Sequence, residues 1–178
     1  MRTPIIRTVT ALITLGALKL HAQELVHIPS FDKEVIEGRL AIPSTGFKNK
    51  IVIDVPSSGP NTYENMRRIG RNTVFKYHDY YRDELSKRGI AYFSYSTRYT
   101  VSDSTNPPNY DKVDKEKFFT YTPSTKVKDL EAVVRFLRKD ARLASSKFVI
   151  LGFSEGAILA TLLAERKVVS VDALFLAG

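Results

Sequence analysis

The sequence predicts an α/β fold in three layers, with a mostly parallel sheet between two layers of helices. Short apolar runs, typical of buried strands, alternate along the chain with segments of helical periodicity. Three strands come first and are followed by alternating helices and strands, an order that favours parallel pairing and crossover helices on both faces of the sheet. The length of 178 residues, with 43% hydrophobic and 26% charged residues, suits a globular domain and argues against disorder.

The first 22 residues are typical of a secretory signal peptide. Arg2 and Arg7 precede an apolar stretch from Val9 to Leu18, and the segment ends at Ala22. A buried or frayed N-terminal helix is the alternative. We therefore expect a secreted or periplasmic protein whose domain occupies residues 23–178.

The strands are predicted from apolar runs that end in turn residues. Val35–Ile42 is the first clear run and is expected to pair with Glu24–Ile28 before it. Four further runs follow along the chain, at Ile51–Val55, Ile90–Tyr95, Lys147–Leu151 and Val171–Leu176.

Three helices are predicted between these strands, at Tyr77–Arg88, Thr125–Lys139 and Ala157–Glu165. Thr125–Lys139 has a single apolar stripe, whereas Ala157–Glu165 is apolar nearly all round and is expected to be covered on every side. Ser102–Pro123 is polar and has no periodicity, which predicts a long loop of the kind that serves as a lid or a binding loop.

The main chemical signal is the pentapeptide Gly152-Phe153-Ser154-Glu155-Gly156. It joins a buried strand to an apolar helix, the setting in which a G-x-S-x-G pattern predicts a nucleophile elbow. We expect a positive φ at Ser154, small residues at Gly152 and Gly156, and a backbone N–H of Glu155 that faces a developing oxyanion. The alternative is a glycine-rich turn with a capping serine.

On these residues the chain resembles the α/β-hydrolase fold enzymes. Within them it is similar to the bacterial esterase and serine-aminopeptidase-like group, which has a Gly-His-Ser-Glu-Gly elbow; Phe153 stands here in place of the His. The resemblance covers about residues 34–178 and includes the helix Asp129–Arg138, together with Tyr95 and Arg98. It implies a sheet of the α/β-hydrolase type that stops after about the sixth strand.

The resemblance also implies two further site residues. The segment Pro56–Pro60 matches the loop after the third strand of the group, so a second oxyanion N–H would come from Ser58 or its immediate neighbour, although Ser57 replaces the usual Gly. An ordinary turn is the alternative. Arg98 would brace the loops beside the nucleophile and contact substrate, or it would pair with a carboxylate structurally.

The acid and the base of a catalytic triad are not found in this sequence. In the fold they follow the nucleophile along the chain, yet only 24 residues follow Ser154 and none is His. The other histidines of the domain, His27 and His78, are expected to be structural or solvated. We therefore expect an incomplete domain whose acid and base lie beyond Gly178, and which is inactive by itself.

The sequence thus predicts a serine hydrolase that acts on a carboxylic ester through an acyl-enzyme on Ser154. The alternatives are a serine peptidase of the aminopeptidase or dipeptidyl-peptidase type, and a non-catalytic domain that binds a ligand in the same cleft. The expected partner is a small-molecule ester or peptide.

We expect no cofactor and no metal, because the sequence has no metal-ligand spacing. The basic residues are scattered, which argues against nucleic acid, and no apolar run approaches the roughly 20 residues of a membrane span. Arg67, Arg68 and Arg71 could hold an anionic group of a substrate, or form a solvated surface.

Overall fold

A computed structural model describes residues 23–71 and 73–178 of the chain. They form ten strands: β1 (Gln23–Pro29), β2 (Val35–Ala41), β3 (Lys50–Val55), β4 (Met66–Ile69), β5 (Thr73–Lys76), β6 (Ala91–Tyr95), β7 (Thr100–Ser102), β8 (Asp111–Val113), β9 (Lys147–Phe153) and β10 (Ala173–Ala177). They also form four helices: α1 (Tyr77–Ser86), α2 (Lys115–Phe118), α3 (Pro123–Lys139) and α4 (Glu155–Arg166).

Six of the strands form one sheet in the order β1-β2-β6-β3-β9-β10. The last four of these are parallel neighbours, whereas β1 and β2 form an antiparallel hairpin at one edge. Val55 at the end of β3 pairs with Gly152 near the end of β9, so the two strands end at the same edge of the sheet. The predicted parallel sheet and the pairing of the first two strands are therefore confirmed.

Helices cover both faces of this sheet. Successive strand side chains point to opposite faces, and on β3 and β9 Ile51, Ile53, Phe148 and Ile150 are fully buried in one core with apolar residues of α3 and α4. The alternate residues of the same strands face a groove that is bounded by α1. The three layers are thus α1, the sheet, and the α3–α4 pair.

Two short hairpins were not predicted. β4 pairs with β5, and β7 pairs with β8, within stretches that the sequence indicates only as loops. The prediction of a structureless Ser102–Pro123 loop is wrong in part, because β8 and the single-turn helix α2 lie within it. Strands of three or four residues are too short to show an alternation of apolar and polar side chains.

The prediction that Ala157–Glu165 is covered on every side is also wrong. Leu159, Ala160 and Leu163 of α4 are buried, but Ile158 is 62% exposed and Leu162 is 37% exposed. The strand β10 is likewise open, with Phe175 64% exposed. It is bonded to β9 on one side and is an edge of the sheet among the described residues.

The signal-peptide prediction falls on residues 1–22, which lie outside the described residues, and it stays a prediction. Within residues 23–71 and 73–178, no helix has the length and apolar character needed to cross a bilayer.

A buried ionic network ties the edge hairpin to α3. Asp129 of α3 is fully buried and accepts hydrogen bonds from Arg98 Nε at 2.7 Å, from Tyr121 Oη at 2.8 Å and from Ser30 Oγ. The Arg98 guanidinium also contacts Asp32, in the turn between β1 and β2, at 2.6 Å. The pKa of Arg98 is raised by its hydrogen bonds to Asp129 and Asp32, which outweigh the effect of burial.

We expect Arg98→Met to lower the free energy of unfolding by about 3–5 kcal/mol, because it leaves the buried Asp129 carboxylate without its cation. The matched control is Arg135→Met, which breaks the exposed pair of α3 with Glu131 and should cost less than about 1 kcal/mol. Urea unfolding followed by circular dichroism measures both. Equal losses for the two variants would contradict the expectation.

Candidate active site

The chain turns sharply between β9 and α4, at the residue predicted to be a nucleophile. β9 ends at Phe153, α4 begins at Glu155, and Ser154 between them has φ 54° and ψ −123°. A non-glycine residue in this region of the backbone stores strain of order 1–3 kcal/mol. The Ser154 side chain is exposed and makes no capping hydrogen bond to α4, so the alternative of a capping serine finds no support.

The two elbow glycines are required by close backbone contacts. A Cβ atom on Gly152 would lie 2.5 Å from the carbonyl oxygen of Gly156, and one on Gly156 would lie 2.6 Å from the carbonyl oxygen of Val55. Real Cβ atoms do not approach backbone so closely, so any larger residue would push α4 away from β3 and β9. The expectation of small residues at both positions has a direct steric cause.

The loop after β3 lies beside this elbow. Gly156 faces the carbonyl oxygens of both Val55 and Pro56, so the first turn of α4 packs against the point where the chain leaves β3. Residues 57–59 follow directly. The backbone N–H of Ser154 donates to the carbonyl of Ala177 at 2.9 Å, which fixes the elbow against the neighbouring strand β10 as well.

Asn61 organises the loop after β3, a role that no local sequence pattern indicates. Its side-chain Nδ2 lies 3.1, 3.4 and 3.1 Å from the carbonyl oxygens of Ser57, Ser58 and Gly59. Arg67 donates to the Oδ1 of Asn61 at 3.2 Å, and the backbone N–H of Asn61 donates to the buried hydroxyl of Thr97. The carbonyls of the loop are therefore turned toward one buried amide.

The orientation of these carbonyls fixes that of the N–H groups. In a trans peptide the C=O and the following N–H point in opposite directions, so the Ser58 N–H is directed away from Asn61. Among the residues that the structure describes, neither the N–H of Ser58 nor that of Glu155 finds an acceptor. Both predicted oxyanion donors therefore lack a hydrogen-bond acceptor within the described part of the chain.

The histidines of the described residues are engaged away from the elbow. His78 Nδ1 lies 2.8 Å from the carbonyl oxygen of Tyr63, and its Nε2 lies 3.9 Å from the carboxylate of Asp54. Burial raises the pKa of Asp54, although the neighbouring His78 and the Tyr92 hydroxyl act in the opposite direction. His27 is exposed on β1 beside Glu37.

The carboxylates after the elbow are also placed as structural groups. Asp172 accepts from the backbone N–H of Phe148 at 2.7 Å and pairs with Arg138, contacts that lower its pKa. Phe148 lies at the start of β9, so Asp172 is at the edge of the sheet opposite Ser154. Glu155 pairs with Lys126 of α3.

The expected substrate contact of Arg98 is not favoured by the structure. Its side chain is 3% exposed and is occupied by Asp32, Asp129 and Ser30, so the structural alternative fits better. Arg67 likewise donates to Asn61 and to two backbone carbonyls rather than standing free for an anion.

An open groove of about 1070 Å³ lies on the α1 face of the sheet. Its floor is formed by side chains of β3, β9 and β10, including Leu151 and Phe175, and its wall by the tyrosines of α1. It reaches the elbow edge at Ser57 and Phe153. Within the described part of the chain, no group of three or more His, Asp or Glu side chains is placed to hold a metal ion.

Comparison with known proteins supports the fold. An esterase from Pyrococcus furiosus matches 86% of this chain and 51% of its own, with a TM-score of 0.58 and 18% identity. A dienelactone hydrolase from Anabaena variabilis matches 88% of this chain and 62% of its own, with a TM-score of 0.58 and 16% identity. The chain therefore has the α/β-hydrolase fold.

A third similar structure and two searches without a match complete the comparison. A cold-adapted esterase from an Arctic intertidal metagenomic library matches 86% of this chain and 59% of its own, with a TM-score of 0.56 and 14% identity. The chain thus spans between about half and three-fifths of these α/β-hydrolase structures. No protein-family model matches the sequence, and a sequence search of curated proteins finds no match.

The backbone strain at Ser154 should reverse the usual order of stability, in which an alanine variant is more stable than a glycine variant. We expect Ser154→Gly to be more stable than Ser154→Ala by about 1 kcal/mol, because only glycine adopts a positive φ without steric cost. At Ser124, an exposed residue of α3, we expect alanine to be the more stable by about 0.5 kcal/mol. Thermal unfolding of the four variants provides the comparison, and the same order at both sites would contradict a strained elbow.

Proposed function

We propose that this chain is the nucleophile-bearing part of an exported serine hydrolase that cleaves carboxylic esters. The observation that carries the proposal is the strained, exposed Ser154 at the sheet edge, with two unbonded N–H groups beside it. The esterases and the dienelactone hydrolase among the solved structures of the same fold add support.

In the proposed reaction Ser154 Oγ attacks the ester carbonyl carbon and loses its proton to a base. The carbonyl oxygen becomes an oxyanion, which the N–H groups of Glu155 and Ser58 would bind. Collapse of this intermediate expels the alcohol, which takes up the proton, and leaves an acyl-enzyme on Ser154. Water then attacks the acyl carbon, and release of the carboxylic acid restores the serine.

The base and its orienting carboxylate are proposed to come from residues after Gly178. His27 and His78 are engaged elsewhere, and Asp172 lies at the far edge of the sheet. The solved structures that this chain resembles are longer than the chain itself, which leaves room for such residues. A general base contributes about 10²–10⁴-fold to such a step, so residues 1–178 alone should turn over substrate very slowly.

A fluorophosphonate probe tests the proposal, because an activated serine displaces fluoride and forms a stable Ser–O–P bond. We expect the full-length protein, with its sequence after Gly178, to be labelled on Ser154, and Ser154→Ala to remain unlabelled. Residues 1–178 alone should react at least about a hundredfold more slowly.

The matched control is Ser58→Ala, which removes a hydroxyl but keeps the backbone N–H of the loop. It should be labelled about as fast as the parent protein. A full-length protein that does not react with the probe would contradict the hydrolase proposal. The groove beside α1 would then favour the second candidate function, a domain that binds an apolar ligand without catalysis.

A further inference from the structure

Glu155 brings a negative charge to the place where the proposed reaction would create another. It is the first residue of α4, and its backbone N–H is one of the two proposed oxyanion donors. A carboxylate in the first turn stabilises a helix through the helix dipole. The same carboxylate would repel the oxyanion that the backbone N–H of this residue is proposed to bind, and such repulsion is strong where water is excluded.

Lys126 of α3 neutralises this carboxylate. Its Nζ lies 2.9 Å from Oε1 and 2.8 Å from Oε2 of Glu155, a two-pronged contact across the α3–α4 interface. The Lys126 side chain is 12% exposed and that of Glu155 is 21% exposed. Since water reaches both charges poorly, it screens the Glu155 carboxylate less than it would screen an exposed one.

The surroundings hold the lysine in this position. Nζ also lies 5.4 Å from the centroid of the Tyr121 ring, a distance at which a cation is attracted to the aromatic face. Tyr121 in turn donates to the buried Asp129. The cation is therefore placed by the same network that ties α3 to the edge hairpin.

We propose that Lys126 is a positioning residue that acts through Glu155 and keeps the elbow able to accept negative charge. The inference rests on the proposed function, since it concerns the oxyanion that forms when Ser154 reacts. It differs from a purely structural tie between α3 and α4. A structural tie is lost equally when either partner is replaced. In contrast, loss of Lys126 leaves the lone Glu155 carboxylate to oppose the oxyanion, whereas Glu155→Gln leaves a neutral amide that does not.

The rate of fluorophosphonate labelling of Ser154 in the full-length protein separates the two roles. We expect Lys126→Met to be labelled about tenfold more slowly, because it leaves the Glu155 carboxylate uncompensated. In the Glu155→Gln background, Lys126→Met should change the labelling rate by less than about threefold, because no lone carboxylate remains there. Lys126→Arg, which keeps the cation, should also retain the rate.

The matched control is Lys139→Met, which removes an exposed lysine from the same helix about 20 Å away along its axis; its rate should not change. Equal slowing in Lys126→Met, Glu155→Gln and the double variant would show a structural tie and overturn the inference. If Lys126→Met does not fold, the double variant is compared with Glu155→Gln instead. A double variant labelled about tenfold more slowly than Glu155→Gln would also overturn the inference. An unlabelled parent protein would overturn the proposed function itself.

Discussion

The approach of α4 to the ends of β3 and β9 is the constraint on which the site depends. Gly156 packs directly on the carbonyl of Val55, and Gly152 packs on Gly156, with no space for a methyl group at either contact. This distance forces the chain to turn within one residue, and Ser154 carries the resulting positive φ. The exposure of its hydroxyl and the free N–H of Glu155 follow from the same turn, because Ser154 directly precedes α4 and the first N–H of a helix has no partner within it.

Buried polar contacts fix the loops around this turn. Asn61 gathers the carbonyls of residues 57–59, so the opposite side of the loop presents N–H groups. The Arg98–Asp129 pair joins the edge hairpin to α3, and Tyr121 links that pair to the position of Lys126. The hydrolase proposal therefore relies on a frame of hydrogen bonds that lies outside the elbow itself.

The sheet and its main helices could be predicted from the sequence because each strand is a short apolar run and each helix has a helical periodicity of apolar residues. The sharp turn at Ser154 was predictable for the same reason, since its two glycines and its serine lie within five residues. The hairpin of β4 and β5 was missed because four-residue strands show no periodicity. The Lys126–Glu155 pair spans 29 residues and exists only once α3 packs on α4, so no local pattern records it. The prediction that α4 is covered on every side was wrong because apolar composition indicates a tendency to be buried. It does not show which element, if any, packs on each side of the helix.

If Ser154 and two backbone N–H groups form one reactive centre, a reagent bonded to the serine should contact both nitrogens. A crystal structure of the full-length protein, phosphonylated by a fluorophosphonate, tests it most directly. We expect a phosphorus atom bonded to Ser154 Oγ, with its free oxygen about 2.7–3.1 Å from the backbone nitrogens of both Glu155 and Ser58. A phosphonyl oxygen that faces solvent and contacts neither nitrogen would contradict it.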